Sequence, residues 1–281
     1  MRIVVTGATG NIGGRVARRL AEAGVEQLLL VRDPARAPKL PGAEVAQASY
    51  DDPDAVRAAL RPGEPVLMVS GSESVDRLAH HRAFVDAAAT AGVGHLVYTS
   101  FLGAAHDATF TLVRDHAATE DHIQASGLPF TFLRDSLYAD FLPSMVGDDG
   151  ALRGPAGEGR VAPVAQDDIA DAATAVLRAP QAHAGAAYDL TGPAALTMAE
   201  IAEMLGEVTG RPTRYVPETL AEAYASRAHY GAPDWQVDAW VSTYTAIAAG
   251  ELDVVSPDVQ RLSGHPATPL AEVLRRTAPQ A

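Results

Sequence analysis

Residues 1–14 read MRIVVTGATGNIGG, and the fold is decided there. Arg2–Thr6 is a short apolar strand. It runs into Gly7-Ala8-Thr9-Gly10-Asn11-Ile12-Gly13, a G-x-x-G-x-x-G turn, and a helix over Asn11–Ala23 follows, with Ile12, Val16 and Leu20 four apart on one face. Glycines there permit a tight turn and let a diphosphate come close to the backbone. The helix start then offers free N–H groups and a partial positive charge to the phosphates. A lone glycine triplet says little; one placed after a first strand and before a helix points to a dinucleotide site.

The same alternation continues downstream. Gln27–Val31, Glu44–Ala48, Pro65–Ser70, His95–Ser100 and Pro129–Arg134 read as strands. Asp54–Leu60 (opened by Asp52-Pro53), Val75–Ala91 and Arg114–Ala125 read as helices between them. Apolar strands each followed by a helix predict a parallel sheet covered on both faces, a Rossmann-type doubly wound α/β fold. After Arg134 the rhythm breaks. Asp148–Gly159 reads as a loop or hairpin, Arg160–Ala165 as a strand, Asp167–Leu177 as a helix capped by its leading aspartates, and Ala187–Leu190 as a strand. Helices at Met198–Thr209, Leu220–Tyr230, Trp235–Ala249 and Pro269–Arg276 predict a smaller, mostly helical C-terminal subdomain. The expected division is 1–134 with 159–190 for the Rossmann domain, and 135–158 with 191–281 for a substrate-binding cap.

Composition narrows the chemistry. The net charge of -13 and the lack of any dense Lys/Arg block argue against nucleic acid or an anionic membrane as partner. The absence of cysteine removes disulfides, thiolate nucleophiles and Cys-bound metal. No apolar run nears the roughly 20 residues of a membrane helix, so a cytoplasmic location is expected. Lys39 is the chain's single lysine, and four residues before it stands Ala35. A Tyr-x-x-x-Lys pair, in which lysine lowers the tyrosine pKa for proton transfer, therefore cannot exist here.

Arg32 ends the second strand, about 20 residues past the glycines, where NAD enzymes commonly place an acid on the ribose. An arginine there can hold a 2′-phosphate through charge-assisted bonds. The expected cofactor is NADP(H), with Asp33 alongside leaving room for NAD(H).

GATGNIGG, LLLVRDP, LMVSGSE, HLVYTSFLGA, ATEDHIQASGLPFTFLRDSLYADF and LSGHPATPLAE together resemble the NmrA-like atypical short-chain dehydrogenases, in particular the branch of type 2 NAD(P)H:quinone oxidoreductases and triphenylmethane reductases. The resemblance spans nearly the whole chain. It implies that Gly7, Thr9, Gly10, Asn11, Ile12 and Gly13 line the diphosphate and that Arg32 takes the 2′-phosphate. It also implies that Ser70, Gly71 and Ser72 run along the cofactor, and that Asp135, Ser136, Leu137, Tyr138 and Asp140 face the nicotinamide. Gln166 departs from relatives that carry arginine there.

For the chemistry, the helix that normally bears the dyad offers His116 with Glu120 four residues on, a proton source and its orienter. A surface His–Glu pair without catalytic role is the alternative. No third ligand accompanies the pair, so no metal is expected. Ser100 at a strand end is a candidate to bind a substrate oxygen, or simply to cap the strand. Tyr138 and Phe141 are candidates for an aromatic wall, or for ordinary core packing. The expected activity is hydride transfer from NADPH to a small quinone or dye-like acceptor. A cofactor-sensing regulator that binds a protein partner is the alternative, and a homodimer stays open.

Overall fold

The computed structural model describes residues 2–277. The first half runs β1 (Ile3–Thr6), α1 (Asn11–Glu22), β2 (Gln27–Val31), β3 (Ala43–Gln47), α2 (Pro53–Ala59), β4 (Pro65–Met68), α3 (Arg77–Thr90), β5 (His95–Phe101), α4 (Thr111–Ala125) and β6 (Phe130–Asp135). The second half runs β7 (Ala151–Gly154), β8 (Arg160–Val161), α5 (Gln166–Arg178), β9 (Ala186–Leu190), β10 (Leu196–Thr197), α6 (Met198–Thr209), β11 (Arg214–Pro217), α7 (Leu220–Arg227), α8 (Asp234–Ala248), α9 (Asp258–Ser263) and α10 (Leu270–Thr277).

Seven strands form one sheet in the order β3-β2-β1-β4-β5-β6-β9, and every neighbouring pair is parallel. The period-two side-chain alternation splits the core into two layers. Val5, Leu29, Leu67, Val97 and Leu133 pack against α1 (Val16, Leu20) and α5 (Ile169, Val176). Val4, Leu28, Met68, Leu96 and Phe132 pack against α2 (Val56), α3 (Phe84, Val85) and α4 (Ile123). Each such buried side chain contributes about 1.5–3 kcal/mol relative to exposure, which is why continuous apolar strands choose a two-sided sheet.

The chain moves outward from β1 to β3 and then crosses back to β4. Strand order therefore reverses between β1 and β4, the place where open α/β sheets leave a crevice at their carboxyl ends.

The second half departs from its sequence reading in several places. Asp148–Gly159 is not merely a loop: it contains β7, which pairs in parallel with β11. The strand expected over Arg160–Ala165 shrinks to β8, paired antiparallel with β10; Pro163 has no N–H to extend the ladder. The aspartates expected to cap α5 do not. Its N-cap is Ala165, Asp167 pairs with Arg15 and Arg19, and Asp168 accepts from Thr268. Helix α3 starts at Arg77, leaving Val75 exposed, and α7 stops at Arg227 before a 3-10 turn over Ala228–Tyr230. The unexpected α9 sends Val259 into the same core layer as α5, so the chain returns to the sheet side within the segment 191–281. A third apolar cluster joins Leu142, Leu152, Met198, Ile201, Ile247 and Val273. Residue 1 and residues 278–281, covered by the expected domain division, lie outside the described residues. Among the described residues no helix is long and apolar enough to cross a membrane.

Candidate cofactor and substrate site

Just past the last β1–β4 ladder pair, side chains tie the carboxyl ends of β1, β4 and β5 together. β1 and β4 pair only at Val4↔Val66 and Val5↔Leu67. Beyond that, Val69 N–H donates to Thr6 Oγ1 at 2.9 Å, and Tyr50 Oη donates to Val69 O at 2.7 Å. Ser70 N–H donates to Thr99 Oγ1 at 2.8 Å. These bonds satisfy backbone groups the ladder no longer reaches beside the crevice that an open α/β sheet leaves at this switch point.

The glycine turn lies at the mouth of this crevice. Gly7 adopts φ +63°, and a Cβ there would meet Val69 Cβ at 3.2 Å. Gly7, Gly10 and Asn11 are exposed, and Thr9 is half-buried. No side chain caps α1, and no acid lies in its first turn. Its leading N–H groups and its dipole thus face solvent uncompensated, the donor set an anionic diphosphate needs. Ile12 and Gly13 are buried instead. Ile12 belongs to the core, and a Cβ on Gly13 would lie 2.5 Å from Gly7 O and Thr6 O. Gly13 therefore seats the helix on the strand, and only backbone is left at these two positions for a ligand. Arg32 is exposed at the end of β2 and makes no ion pair among the described residues, as a phosphate-binding arginine requires.

Behind Ser70-Gly71-Ser72 lies a buried polar ring. Both backbone groups of Gly71 are gripped from α3: its N–H donates to His81 Nε2 at 2.8 Å, and its carbonyl accepts from Arg77 Nε at 2.9 Å. Arg77 Nη2 also donates to His116 Nε2 at 2.8 Å. The proton of neutral His116 therefore sits on Nδ1, which donates to Tyr98 Oη at 2.9 Å. By the same logic His81 carries its proton on Nδ1 and donates to Thr119 Oγ1 at 3.0 Å. Burial, with the Arg77 charge adding to it, holds His116 well below the usual histidine range and His81 at about 3. Both are neutral.

The structure corrects several expectations. His116 is buried and does not pair with Glu120. Glu120 accepts from Ser100 Oγ at 2.6 Å and from both Arg134 Nε and Nη2, at 2.9 and 2.6 Å. The Ser100 hydroxyl proton is thereby committed, and its side chain is buried. Asp140 does not turn its carboxylate to the crevice; it accepts from Arg15 Nη2 at 3.0 Å and Gln166 N–H at 2.9 Å. Gln166 itself accepts from Arg15 through Oε1. Leu137 packs against the cluster of Leu142, Met198 and Ile201, and Ser136 is fully buried.

Asp135 and Tyr138 remain at the crevice end of β6. Tyr138 is half-buried, its Oη 3.2 Å from Asp135 Oδ2. Burial pushes the Asp135 carboxyl well above the usual carboxylate range. Ser74 and Val75 of the β4–α3 loop, with Thr111, Leu112, Asp115, Trp235 and Asp238 of α4 and α8, line a cleft of about 340 Å³. Its aromatic surface is Trp235; Phe141 is 60% exposed.

Residues 1–229 match the model of the NmrA-like family. The chain belongs to that family. Quinone oxidoreductase 2 of Escherichia coli is 34% identical to this NmrA-like protein, over 96% of each chain. An NAD(P)H azoreductase of Xenophilus azovorans is 34% identical, over 98% of each. Among solved structures, the Citrobacter triphenylmethane reductase complexed with NADP(H) superposes with a TM-score of 0.86 at 31% identity, covering 98% of this chain and 99% of that one.

The sequence reading of this NmrA-like protein missed Arg77, His81, Tyr50 and the Arg134–Glu120 pair. Arg77 and His81 stand four apart on one helix, so a shared inward face was readable. Their partner Gly71 was not, because nothing local marks a backbone amide as the target.

Proposed function

We propose that this NAD(P)H-dependent oxidoreductase prefers NADPH and reduces quinones or similarly flat, electron-poor acceptors. The N–H groups at Asn11 and Ile12 hold the diphosphate, Arg32 the 2′-phosphate, and Ser70–Ser72 with Tyr138 flank the nicotinamide end; the Gly10 N–H is already given to Gly7 O. The reduced nicotinamide supplies hydride. The protein's own task is to hold acceptor and cofactor face to face and to keep water out, which alone supplies much of the rate for a bimolecular transfer.

The observation that carries this reading is the state of the helix that bears the proton-transfer dyad in related dehydrogenases. Its one imidazole facing the sheet, His116, is buried, neutral and spent on Arg77 and Tyr98. His116 therefore cannot serve as the strong proton donor that carbonyl–alcohol chemistry demands, whereas an electron-poor ring asks less of one. Quinone and azo-dye reduction by full-length relatives supports the same class of acceptor.

The test is consumption of NADPH, followed by absorbance, with a panel of quinones, azo dyes and triphenylmethane dyes, and with simple ketones as controls. Turnover with the conjugated acceptors and none with ketones is expected. Turnover confined to ketones would overturn the reading.

A further inference from the structure

We propose that Asp135 is a positioning residue that stores the proton of the reduction and passes it through the Tyr138 hydroxyl. The proposal rests on the reductase reading above and supplies the proton that His116 cannot.

Asp135 is the last residue of β6 and is fully buried. Its Oδ2 lies 3.2 Å from Tyr138 Oη, while Oδ1 is buried without a hydrogen-bond partner among the described residues. A carboxylate with one bare oxygen in such surroundings is costly; a neutral acid costs far less. Burial accordingly pushes this carboxyl upward, and its proton-bearing oxygen can donate to Tyr138 Oη. The Tyr138 O–H is then free to point away from Asp135.

No other phenol at this end of the sheet is in that position. Tyr50 spends its proton on Val69 O. Tyr98 is fully buried behind the ring of α3 and α4 side chains. Tyr138 is half-buried and packs on the core layer that contains Ala8 and Ile12 of the glycine turn.

The other ionisable groups around the pair are accounted for. Arg77 of α3 lowers the Tyr138 pKa and Tyr98 of β5 raises it, both less than burial and Asp135 do. On the α1 and α5 side, Arg15 is paired with Asp140 and Asp167. Across β6, Arg134 and Glu120 pair with each other. Among the described residues, Asp135 has only Tyr138 as hydrogen-bond partner for its carboxyl.

The balance is simple. Two-electron reduction of a quinone to a hydroquinone takes one hydride, supplied by NADPH, and one proton. As the substrate O–H forms, the Tyr138 O–H breaks. The Asp135 O–H breaks as the Tyr138 O–H reforms, leaving Asp135 as a carboxylate. Its high proton affinity recovers a proton from solvent after product leaves.

Three variants test this: Asp135→Asn, Tyr138→Phe and the double variant. In the wild type, kcat/KM falls as pH rises through the Asp135 titration. Asp135→Asn removes that limb and lowers kcat by about 10²-fold, within the usual general-acid range. Tyr138→Phe does the same, and the double variant is no worse than either single, because one relay is broken once. A readout without turnover accompanies these. The infrared carbonyl band of a protonated carboxyl is present in the cofactor-free wild type at neutral pH and missing in Asp135→Asn. A pH limb that persists in Asp135→Asn, additive losses in the double variant, or no carboxyl band in the wild type would overturn the proposal. If Asp135→Asn does not fold, Tyr138→Phe and the wild-type band still decide it. A wild type inert toward every acceptor would sink the reductase reading, while the infrared band would still report whether Asp135 holds its proton.

Discussion

Arg77 Nη2 lies 2.8 Å from His116 Nε2, and this contact fixes what the histidine can do. A guanidinium only donates, so Nε2 must present its lone pair. Protonating it would set two donors and two positive charges against each other in a buried site. His116→Ala should therefore lower turnover less than about tenfold, well under the range for loss of an essential general acid. NADPH affinity should be nearly unchanged. Steady-state kinetics and cofactor titration check this; complete loss of turnover with cofactor binding intact would make His116 an obligatory acid.

The second and third glycines of the turn should fail differently. A side chain at Gly10 meets only Gly7 O, at 3.3 Å, and otherwise projects toward solvent where the diphosphate is proposed to lie. Gly10→Val should fold with a near-normal melting temperature and bind no NADPH. A Cβ at Gly13 strikes backbone at 2.5 Å. Gly13→Ala should cost about 1–3 kcal/mol or more of stability. Calorimetry with cofactor titration separates the two; a folded Gly10→Val with normal affinity would refute the turn's assignment.

Arg32 should set cofactor choice. Removing a charge-assisted contact to a 2′-phosphate costs about 1.5–3 kcal/mol, roughly tenfold or more in affinity. Arg32→Ala should weaken NADPH binding by that factor and leave NADH almost untouched. Equal wild-type affinities for the two cofactors would contradict this.

Why the turn and Arg32 were readable while the ring was not follows from sequence distance. Gly7 to Gly13 lie in one local run, and Arg32 ends the next strand, so spacing alone located them. Arg77 meets His116 across 39 residues, and Ser100 meets Glu120 across 20, contacts that exist only once α3 and α4 pack on β5. The i,i+4 spacing of His116 and Glu120 suggested a pair. The helix instead turns His116 toward Tyr98 and Glu120 toward Ser100 and Arg134. The same limit hid β10: two residues, paired with β8 across more than thirty, carry no periodicity to detect.

Buried neutral histidines should make the fold sensitive to acid. His95 is buried on β5 with Nε2 2.8 Å from Thr131 Oγ1, and burial holds it at about 4. Its unfolded value is about 6.5. Above that value the unfolded chain gains nothing from protonation. As pH falls from about 6.5 toward 4, the unfolded chain takes up a proton that the fold refuses, and stability drops by up to about 1.4 kcal/mol per pH unit. His95→Gln keeps a donor for Thr131 but does not titrate. Its stability relative to wild type should improve between pH 7 and pH 5 in thermal melts, and a constant difference would refute the assignment.

The central claim is that reducing equivalents pass from NADPH on the glycine turn to a conjugated acceptor. It is tested most directly by mixing the anaerobic enzyme–NADPH complex with one equivalent of a quinone and following both partners. The account predicts that one NADPH is consumed for each hydroquinone formed, and that Gly10→Val forms none. NADPH that stays bound and reduced, with this quinone and with every other conjugated acceptor tried, would contradict it and favour a protein that senses the cofactor without spending it.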